Sequence, residues 1–191
     1  MIIGITGGTG CGKTTLLNQI RDAGGMILDC DAIYHELLAS NQEMLSAIDR
    51  RFPGTVENGI LNRKKLGSIV FADENALLDL NRITHSAVRQ EVLRRLECRP
   101  KLAAIDAIGL FEGGLAELCN VTVAITAPME QRVHRLMERD GISEDYARSR
   151  ISAQKNDDWF HSHCDVVLDN SGDLQSYKTK CLDFLKGIGI M

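Results

Sequence analysis

Gly7-Gly8-Thr9-Gly10-Cys11-Gly12-Lys13-Thr14 lies between an apolar run, Ile2–Thr6, and an amphipathic segment, Lys13–Ala23. The stretch matches the pattern GxxxxGK[ST] in full, and a position between a predicted strand and a predicted helix is the context that the pattern requires. Its glycines allow successive backbone N–H groups to converge on phosphate oxygens without obstruction by side chains. We therefore predict a phosphate-binding loop, in preference to a glycine turn that only links a strand to a helix.

Two side chains at the end of this loop have the chemistry to complete a nucleotide site. The Lys13 ammonium can reach the terminal phosphates, and the Thr14 hydroxyl can coordinate the Mg²⁺ ion that accompanies them. MgATP or MgGTP is therefore the expected ligand. Cys11 is expected to be a small residue that the loop tolerates, and the alternative is a redox-sensing thiol.

The rest of the chain alternates short β-like runs with longer amphipathic segments, which is typical of parallel βα units. We predict an α/β fold with a five-stranded parallel sheet. The predicted strands are Ile2–Thr6, Met26–Cys30, Leu102–Ile108, Val121–Ala127 and Val166–Asp169.

Two helical blocks interrupt this alternation. Residues 32–99 contain no convincing strand, which predicts an all-helical insertion after the second strand. The helices predicted there are Asn41–Phe52, Asn62–Phe71 with Asn62 as its N-cap, and Glu74–Glu97 with a break near Thr84-His85. A second helical segment is predicted over residues 129–154 with a break at Asp140-Gly141, and the polar stretch 155–164 is expected to be a mobile flap.

The composition is that of a globular protein and disfavours several classes. The 191 residues carry a net charge of −4 at pH 7 with a pI near 5.7, which argues against a nucleic-acid-binding protein that relies on an overall basic field. No apolar run approaches the ~20 residues that cross a bilayer, and residues 1–6 lack the length and basic flank of a signal peptide. Six scattered cysteines without a CxxC pair indicate reduced thiols, so we expect a cytoplasmic protein.

Two aspartates end the second predicted strand, in Leu28-Asp29-Cys30-Asp31. The carboxyl ends of parallel strands form the rim where ligands bind, and a period of two places Asp29 and Asp31 on the same side of an extended segment. One carboxylate would hold a magnesium-bound water, and the other would orient or deprotonate an acceptor hydroxyl. We predict Asp31 as the base; the alternative is that either aspartate caps a helix that begins near Ala32.

Two further acidic residues lie near the end of the third predicted strand and just after it. Asp106, near the end of that strand, is predicted to have a Walker-B-like magnesium role, and the alternative is a turn residue at a strand end. Glu112, beside Gly113-Gly114, is equally consistent with a substrate contact and with the start of a helix.

The segment after the fourth predicted strand supplies cations. Arg132, Arg135 and Arg139 fall on one stripe of a helix, which we predict closes over the triphosphate and stabilises the charge that spreads during phosphoryl transfer. The alternative is pairing with the interleaved glutamates on a solvated face. Zinc is not predicted at residues 161–165, because the cluster there lacks a matching partner cluster elsewhere in the sequence.

Motifs in a fixed order run through nearly the whole chain. They are GITGGTGCGKTT at 4–15, LDCDAI at 28–33, NRKKLGSIVF at 62–71, ITHSAV at 83–88, LFEGG at 110–114, RLMERDGIS at 135–143, RISAQ at 150–154 and DVVLDNSG at 165–172. This ordered set resembles the dephospho-CoA kinase family, whereas the loop alone would indicate only a nucleotide-binding protein. The chain departs from the family's usual DAD at 29–31, from its His-Pro at 85–86 and from its Pro-Leu-Leu at 108–110.

The resemblance implies a P-loop NTPase-type three-layer fold with a helical substrate-binding insertion and a helical lid. The core would comprise residues 1–31, 100–135 and 165–191, the insertion residues 32–99 and the lid residues 136–164. The implied reaction transfers the γ-phosphoryl group of ATP to the 3′-hydroxyl of dephospho-CoA, which is the last step of coenzyme A synthesis. The implied partner is thus a small molecule, with no nucleic acid and no membrane.

The resemblance also implies roles for individual residues. ATP would lie against Gly10, Cys11, Gly12, Lys13, Thr14 and Thr15, and we expect the loop from Asn170 to Gly172 to contribute to the adenine pocket. Asp31 and Arg139 would be catalytic by the same resemblance. The residue patterns above add Lys13 as a catalytic residue and Thr14 and Asp106 as magnesium ligands. Residues expected to contact the acceptor are Asp29, His85, Phe111 and Glu112.

Two other functions remain open at the level of sequence. One is a P-loop kinase for another nucleoside or nucleotide, and the other is a regulatory NTP-binding switch that signals to a partner protein. A switch that recognises guanine would normally contain an NKxD-like element, and the sequence has none.

Overall fold

The computed structural model describes residues 1–190. The strands within that range are β1 (Ile2–Thr6), β2 (Met26–Asp29), β3 (Val56–Glu57), β4 (Ile60–Leu61), β5 (Ala103–Asp106), β6 (Val121–Thr126) and β7 (Val166–Asp169). Five of them form one sheet in the order β2-β5-β1-β6-β7, in which β1 runs parallel to β5 and β6, and β6 runs parallel to β7. The predicted α/β fold with a five-stranded parallel sheet is confirmed.

Helices connect and cover these strands. Over the same described range they are α1 (Lys13–Asp22), α2 (Cys30–Ser40), α3 (Gln42–Arg51), α4 (Arg63–Val70), α5 (Glu74–Leu96), α6 (Met129–Asp140), α7 (Glu144–Ser152), α8 (Asp157–His163) and α9 (Leu174–Gly187). Asn62 caps α4 as predicted, since its side chain accepts a hydrogen bond from the Lys65 N–H. The predicted break at residues 140–141 is also present, because Gly141 ends α6 in the left-handed region at φ 64°.

The central strand β1 is apolar up to its last residue, Thr6, and is buried from Ile3 onward. Ile3 and Ile5 of β1 are fully buried and belong to one core cluster with Leu16 of α1 and with Tyr177 and Leu185 of α9. The loop that follows β1 therefore begins at the buried end of a core strand.

Two compact units make up the described chain. One contains residues 1–28, 100–110 and everything from residue 116 onward, and the other contains residues 29–99 and 111–115. The segment predicted as an insertion, residues 32–99, lies entirely in the second unit. The assignment of residues 136–164 as a lid stays a prediction.

Two features of the predicted helical blocks were wrong, and a third stretch contains a helix. Helix α5 is unbroken at residues 84–85, because the Thr84 hydroxyl donates back to the Leu80 carbonyl at 3.0 Å and so remains satisfied within the helix. Residues 32–99 do contain strands, since β3 and β4 form a hairpin around Asn58-Gly59, both at positive φ. Residues 155–164 contain helix α8, which begins where the Asn156 side chain accepts from the Trp159 N–H at 2.9 Å, and the mobility expected of this stretch stays a prediction.

Membrane insertion through a helix finds no support in the described residues. None of their helices combines the length and the apolar character that crossing a bilayer requires.

Candidate active site

The loop of residues 7–12 connects β1 directly to α1. Gly12 is the N-cap of α1 and adopts φ 98°, ψ 29°, a left-handed conformation that favours glycine. Because glycine has no side chain with which to cap the helix, the N–H groups of the first turn have no side-chain cap, although the Thr15 N–H donates to the Gly12 carbonyl at 3.3 Å. A helix N-terminus of this kind attracts anions through those N–H groups and through the helix dipole.

The two predicted phosphate and magnesium side chains follow at once. Lys13 is the first residue of α1, and its ammonium bends back over the loop to donate to the Gly7 carbonyl at 3.2 Å. Thr14 is exposed in the same turn. The cation and the hydroxyl therefore both belong to the first turn of α1, directly after the loop.

The two arginines at 132 and 135 do not lie on a solvated helix face. Arg132 is only 7% exposed, and its Nε donates to the Thr9 carbonyl at 2.9 Å while its Nη2 donates to Gln154 Oε1 at 3.0 Å. Arg135 donates through Nη1 to the Gly10 carbonyl at 3.1 Å. The alternative of a surface-pairing stripe was wrong for these two residues.

The remaining arginines of this segment do pair on the surface. Arg139 forms two hydrogen bonds with the carboxylate of Asp140, at 2.7 and 2.9 Å, and Arg150 donates to the same carboxylate. These contacts, the Arg139 hydrogen bond foremost, lower the pKa of Asp140 to about 2. Arg148 pairs with Glu130 and Glu144. The catalytic role of Arg139 stays a prediction.

Three residues near the loop have contacts that the sequence did not indicate. Gln154 Oε1 accepts from the Thr9 N–H at 2.8 Å, although its motif RISAQ carried no assigned role. The Tyr177 hydroxyl donates to the Gly12 carbonyl at 3.2 Å. Asn170, which we expected to contribute to the adenine pocket, is buried and donates through Nδ2 to the Cys11 carbonyl at 2.8 Å.

The two aspartates after β2 do not share the side of an extended segment, so that expectation was wrong. β2 ends at Asp29, whose Oδ1 accepts from the N–H groups of Asp31 and Ala32, each at 3.0 Å, and thereby caps α2. Asp31 lies in the first turn of that helix and is exposed. The cap is Asp29, which leaves the Asp31 carboxylate outside the capping interaction.

The other acidic candidates lie in different settings. Asp106 is the last residue of β5 and pairs in register with Ile5 of β1. It therefore lies beside the strand that leads into the phosphate-binding loop. Glu112 lies in a turn, and the next helical turn is a 3₁₀ segment at Ala116–Leu118, so the interpretation as a helix start was wrong.

The residues predicted to contact the acceptor share one unit. Asp29, His85, Phe111 and Glu112 all lie in the unit formed by residues 29–99 and 111–115. Within it, Arg89 of α5 donates to the Gly114 carbonyl at 3.2 Å, which ties the LFEGG turn to the helix that carries His85.

Cys11 faces the protein interior. Its side chain is 1% exposed and belongs to the same core cluster as Ile3 and Ile5. Burial raises the pKa of the Cys11 thiol, against an opposing effect of Lys13 and Arg132. A buried, protonated thiol is a poor nucleophile, which favours the interpretation of Cys11 as a small loop residue over that of a redox sensor.

Alkylation of the native protein should therefore spare Cys11. Treatment with iodoacetamide, followed by peptide mass spectrometry, is expected to label the exposed Cys98 about 10²-fold or more faster than Cys11, because Cys11 reacts only after local opening. Denaturant should abolish the difference. Labelling of Cys11 at the rate of Cys98 in the native state would restore the redox-sensor alternative.

Comparisons with known proteins agree on one family. The family model for dephospho-CoA kinase matches residues 1–176. The curated dephospho-CoA kinase of Bacillus licheniformis is 34% identical over 92% of this chain and 90% of its own length, and that of Dehalococcoides mccartyi is 36% identical over 96% of this chain and 95% of its own.

Solved structures share the fold. A crystal structure of a protein from Thermus thermophilus superposes with a TM-score of 0.80 at 32% identity, covering 98% of this chain and 97% of its own. Shikimate kinase from Bacteroides thetaiotaomicron, at 14% identity and a TM-score of 0.58 over 98% of both chains, shows the same P-loop kinase fold. The family-model match and the curated relatives together carry the assignment: this chain belongs to the dephospho-CoA kinase family.

Proposed function

We propose that this chain transfers the γ-phosphoryl group of ATP to the 3′-hydroxyl of the ribose in dephospho-CoA, which yields CoA and ADP. The observation that carries the donor half is the loop at residues 7–14, with a glycine N-cap and Lys13 directly behind it. Family membership over residues 1–176 supports the acceptor half. A kinase for another nucleoside or nucleotide would use the same loop, so the acceptor is the part that experiment must identify.

In this proposal the protein positions the two substrates and stabilises the negative charge of the phosphates. The loop N–H groups and Lys13 bind the phosphates, where negative charge accumulates during transfer. Asp31 accepts the proton of the attacking hydroxyl as a general base. Arg139 contributes positive charge to the triphosphate by exchanging its bonds to Asp140 for phosphate oxygens, which would also draw the segment 136–164 over the site as a lid.

Magnesium fits the donor set. Thr14 offers a hydroxyl and Asp106 a carboxylate, and both are the hard oxygen ligands that Mg²⁺ prefers. We propose that these two residues hold the ion with the nucleotide. When bound, the ion would neutralise charge on the phosphate oxygens.

The same proposal assigns the residues that bind the acceptor, the role of Asn170 and the cellular compartment. Asp29, His85, Phe111 and Glu112 would hold dephospho-CoA in the unit that contains residues 32–99. The loop that begins at Asn170 would contribute to the adenine pocket of the nucleotide site. We place the reaction in the cytoplasm, where six free cysteines remain reduced.

An ADP-release assay against a panel of acceptors tests the proposal. Dephospho-CoA should consume ATP stoichiometrically, while nucleosides, nucleoside monophosphates and shikimate should give only the background rate. Preferred turnover of another member of the panel would support a different kinase. Equal ADP release with no acceptor present would support an NTP-hydrolysing switch instead.

A further inference from the structure

Four consecutive carbonyl oxygens of the phosphate-binding loop each accept a hydrogen bond from a side chain outside the loop. The pairs are Arg132 Nε to Thr9 at 2.9 Å, Arg135 Nη1 to Gly10 at 3.1 Å, Asn170 Nδ2 to Cys11 at 2.8 Å and Tyr177 Oη to Gly12 at 3.2 Å. The donors come from α6, from the loop after β7 and from α9. The carbonyl oxygens of residues 9–12 are thus all bonded to side chains from other parts of the protein.

The orientation of these carbonyls fixes the orientation of the N–H groups on the other side of the loop. In a trans peptide the carbonyl of one residue and the N–H of the next lie in one rigid plane and point in opposite directions. Holding the carbonyls of residues 9, 11 and 12 against the protein therefore turns the N–H groups of Gly10, Gly12 and Lys13 to the opposite side, while the Cys11 N–H donates to the Gly8 carbonyl at 3.3 Å. Those N–H groups belong to the stretch expected to bind the phosphates.

Burial makes these contacts hard to replace by water. Arg132, Asn170 and Tyr177 are only 7%, 5% and 1% exposed. A buried carbonyl or donor that loses its partner bears the cost of desolvation without compensation, so a released peptide plane would rotate towards another partner. The glycines permit this close approach, since a Cβ on Gly10 would lie 2.9 Å from the Arg132 carbonyl oxygen.

We infer that Arg132, Arg135, Asn170 and Tyr177 are positioning residues that hold the loop peptides of residues 9–13 and so preorganise the N–H groups of Gly10, Gly12 and Lys13 for phosphate. The inference rests on the proposed nucleotide site and assigns two arginines of α6 to the loop itself, whereas Arg139 remains outside this group. Gln154 links one of these residues to the loop as well, because its Oε1 accepts from Arg132 Nη2 at 3.0 Å and from the Thr9 N–H.

Binding of inorganic tripolyphosphate tests the inference, because this probe has phosphates and no adenine. We would compare the wild type with Arg135→Met, Arg135→Lys and Tyr177→Phe by calorimetry. Arg21→Met is the matched control, since Arg21 bonds only its helix neighbour Asn18 among the contacts described and is exposed. Arg135→Met should weaken the binding of tripolyphosphate and of ATP by about 10- to 100-fold, the loss expected for a charge-assisted hydrogen bond.

Three further results separate positioning from a merely structural role. Arg135→Lys should recover part of the lost affinity, and Tyr177→Phe, which keeps the packed ring, should still weaken tripolyphosphate severalfold. The KM for dephospho-CoA should change less than about threefold in Arg135→Lys and in Tyr177→Phe. Equal binding by Arg135→Met, Tyr177→Phe and Arg21→Met would overturn the inference, and a wild type that binds neither probe would instead overturn the proposed nucleotide site.

Discussion

Replacement of Lys13 by alanine is expected to remove ATP binding and turnover together, with kcat/KM reduced by about 10²- to 10³-fold or more. The ammonium already lies over the loop and donates to the Gly7 carbonyl at 3.2 Å, so the variant loses the positive charge nearest the expected phosphates. Alanine is the best helix former, so the first turn of α1 should persist. Calorimetry with MgATP and the ADP-release assay measure the two effects.

A matched control guards this interpretation. Lys178→Ala removes one exposed lysine from α9 of the same unit and should leave ATP affinity unchanged. An unaltered ATP titration of Lys13→Ala would contradict the assignment of Lys13 to the phosphates.

Replacement of Asp31 by asparagine is expected to lower kcat by about 10²- to 10⁴-fold while ATP affinity stays nearly intact, because a general base contributes that much and the nucleotide does not depend on it. The structure makes this substitution informative. Asp29, not Asp31, caps α2, so a loss of turnover cannot come from a lost cap. Stopped-flow or steady-state ADP release with dephospho-CoA provides the measurement.

The same substitution at another exposed helix start serves as the control. Asp73 caps α5, and asparagine caps as well as aspartate, so Asp73→Asn should retain both the helix and turnover. Near-normal turnover of Asp31→Asn would exclude Asp31 as the base.

Local patterns in the sequence were enough to predict the parts of the fold that depend on neighbouring residues. The loop at 7–14, the cap at Asn62 and the stop at Gly141 each result from residues within one turn of each other. The central strands were recognisable because burial on both faces requires a continuous apolar run. The hairpin around Asn58-Gly59 also had a local signal, which the apparent helical character of residues 32–99 obscured.

The errors arose where two local patterns compete. A period of two along residues 28–31 placed Asp29 and Asp31 on the same side of an extended segment, whereas the capping ability of Asp29 ends the strand and starts a helix. Thr84 and His85 suggested a break in α5, yet the threonine hydroxyl bonds within its own helix.

The setting of the arginines could not be predicted from spacing alone. Arg132 and Arg139 share one helical stripe, but Arg132 is buried against loop carbonyls and Arg139 pairs with Asp140 on the surface. Their difference depends on contacts with residues more than a hundred positions away, such as Thr9. No pattern within α6 records such contacts.

The separation of Gly12 from Tyr177, 165 residues apart in the chain, has a consequence for synthesis on the ribosome. A nascent chain exposes residues 7–14 well before Arg135, Asn170 and Tyr177, whose partners in the loop lie 125, 159 and 165 positions earlier. We expect the loop not to bind a nucleotide until these three residues have packed against it. ATP would then be unable to stabilise the folding intermediates that form earlier. Truncated products of translation would thus carry the GxxxxGK[ST] sequence without competing for cellular ATP.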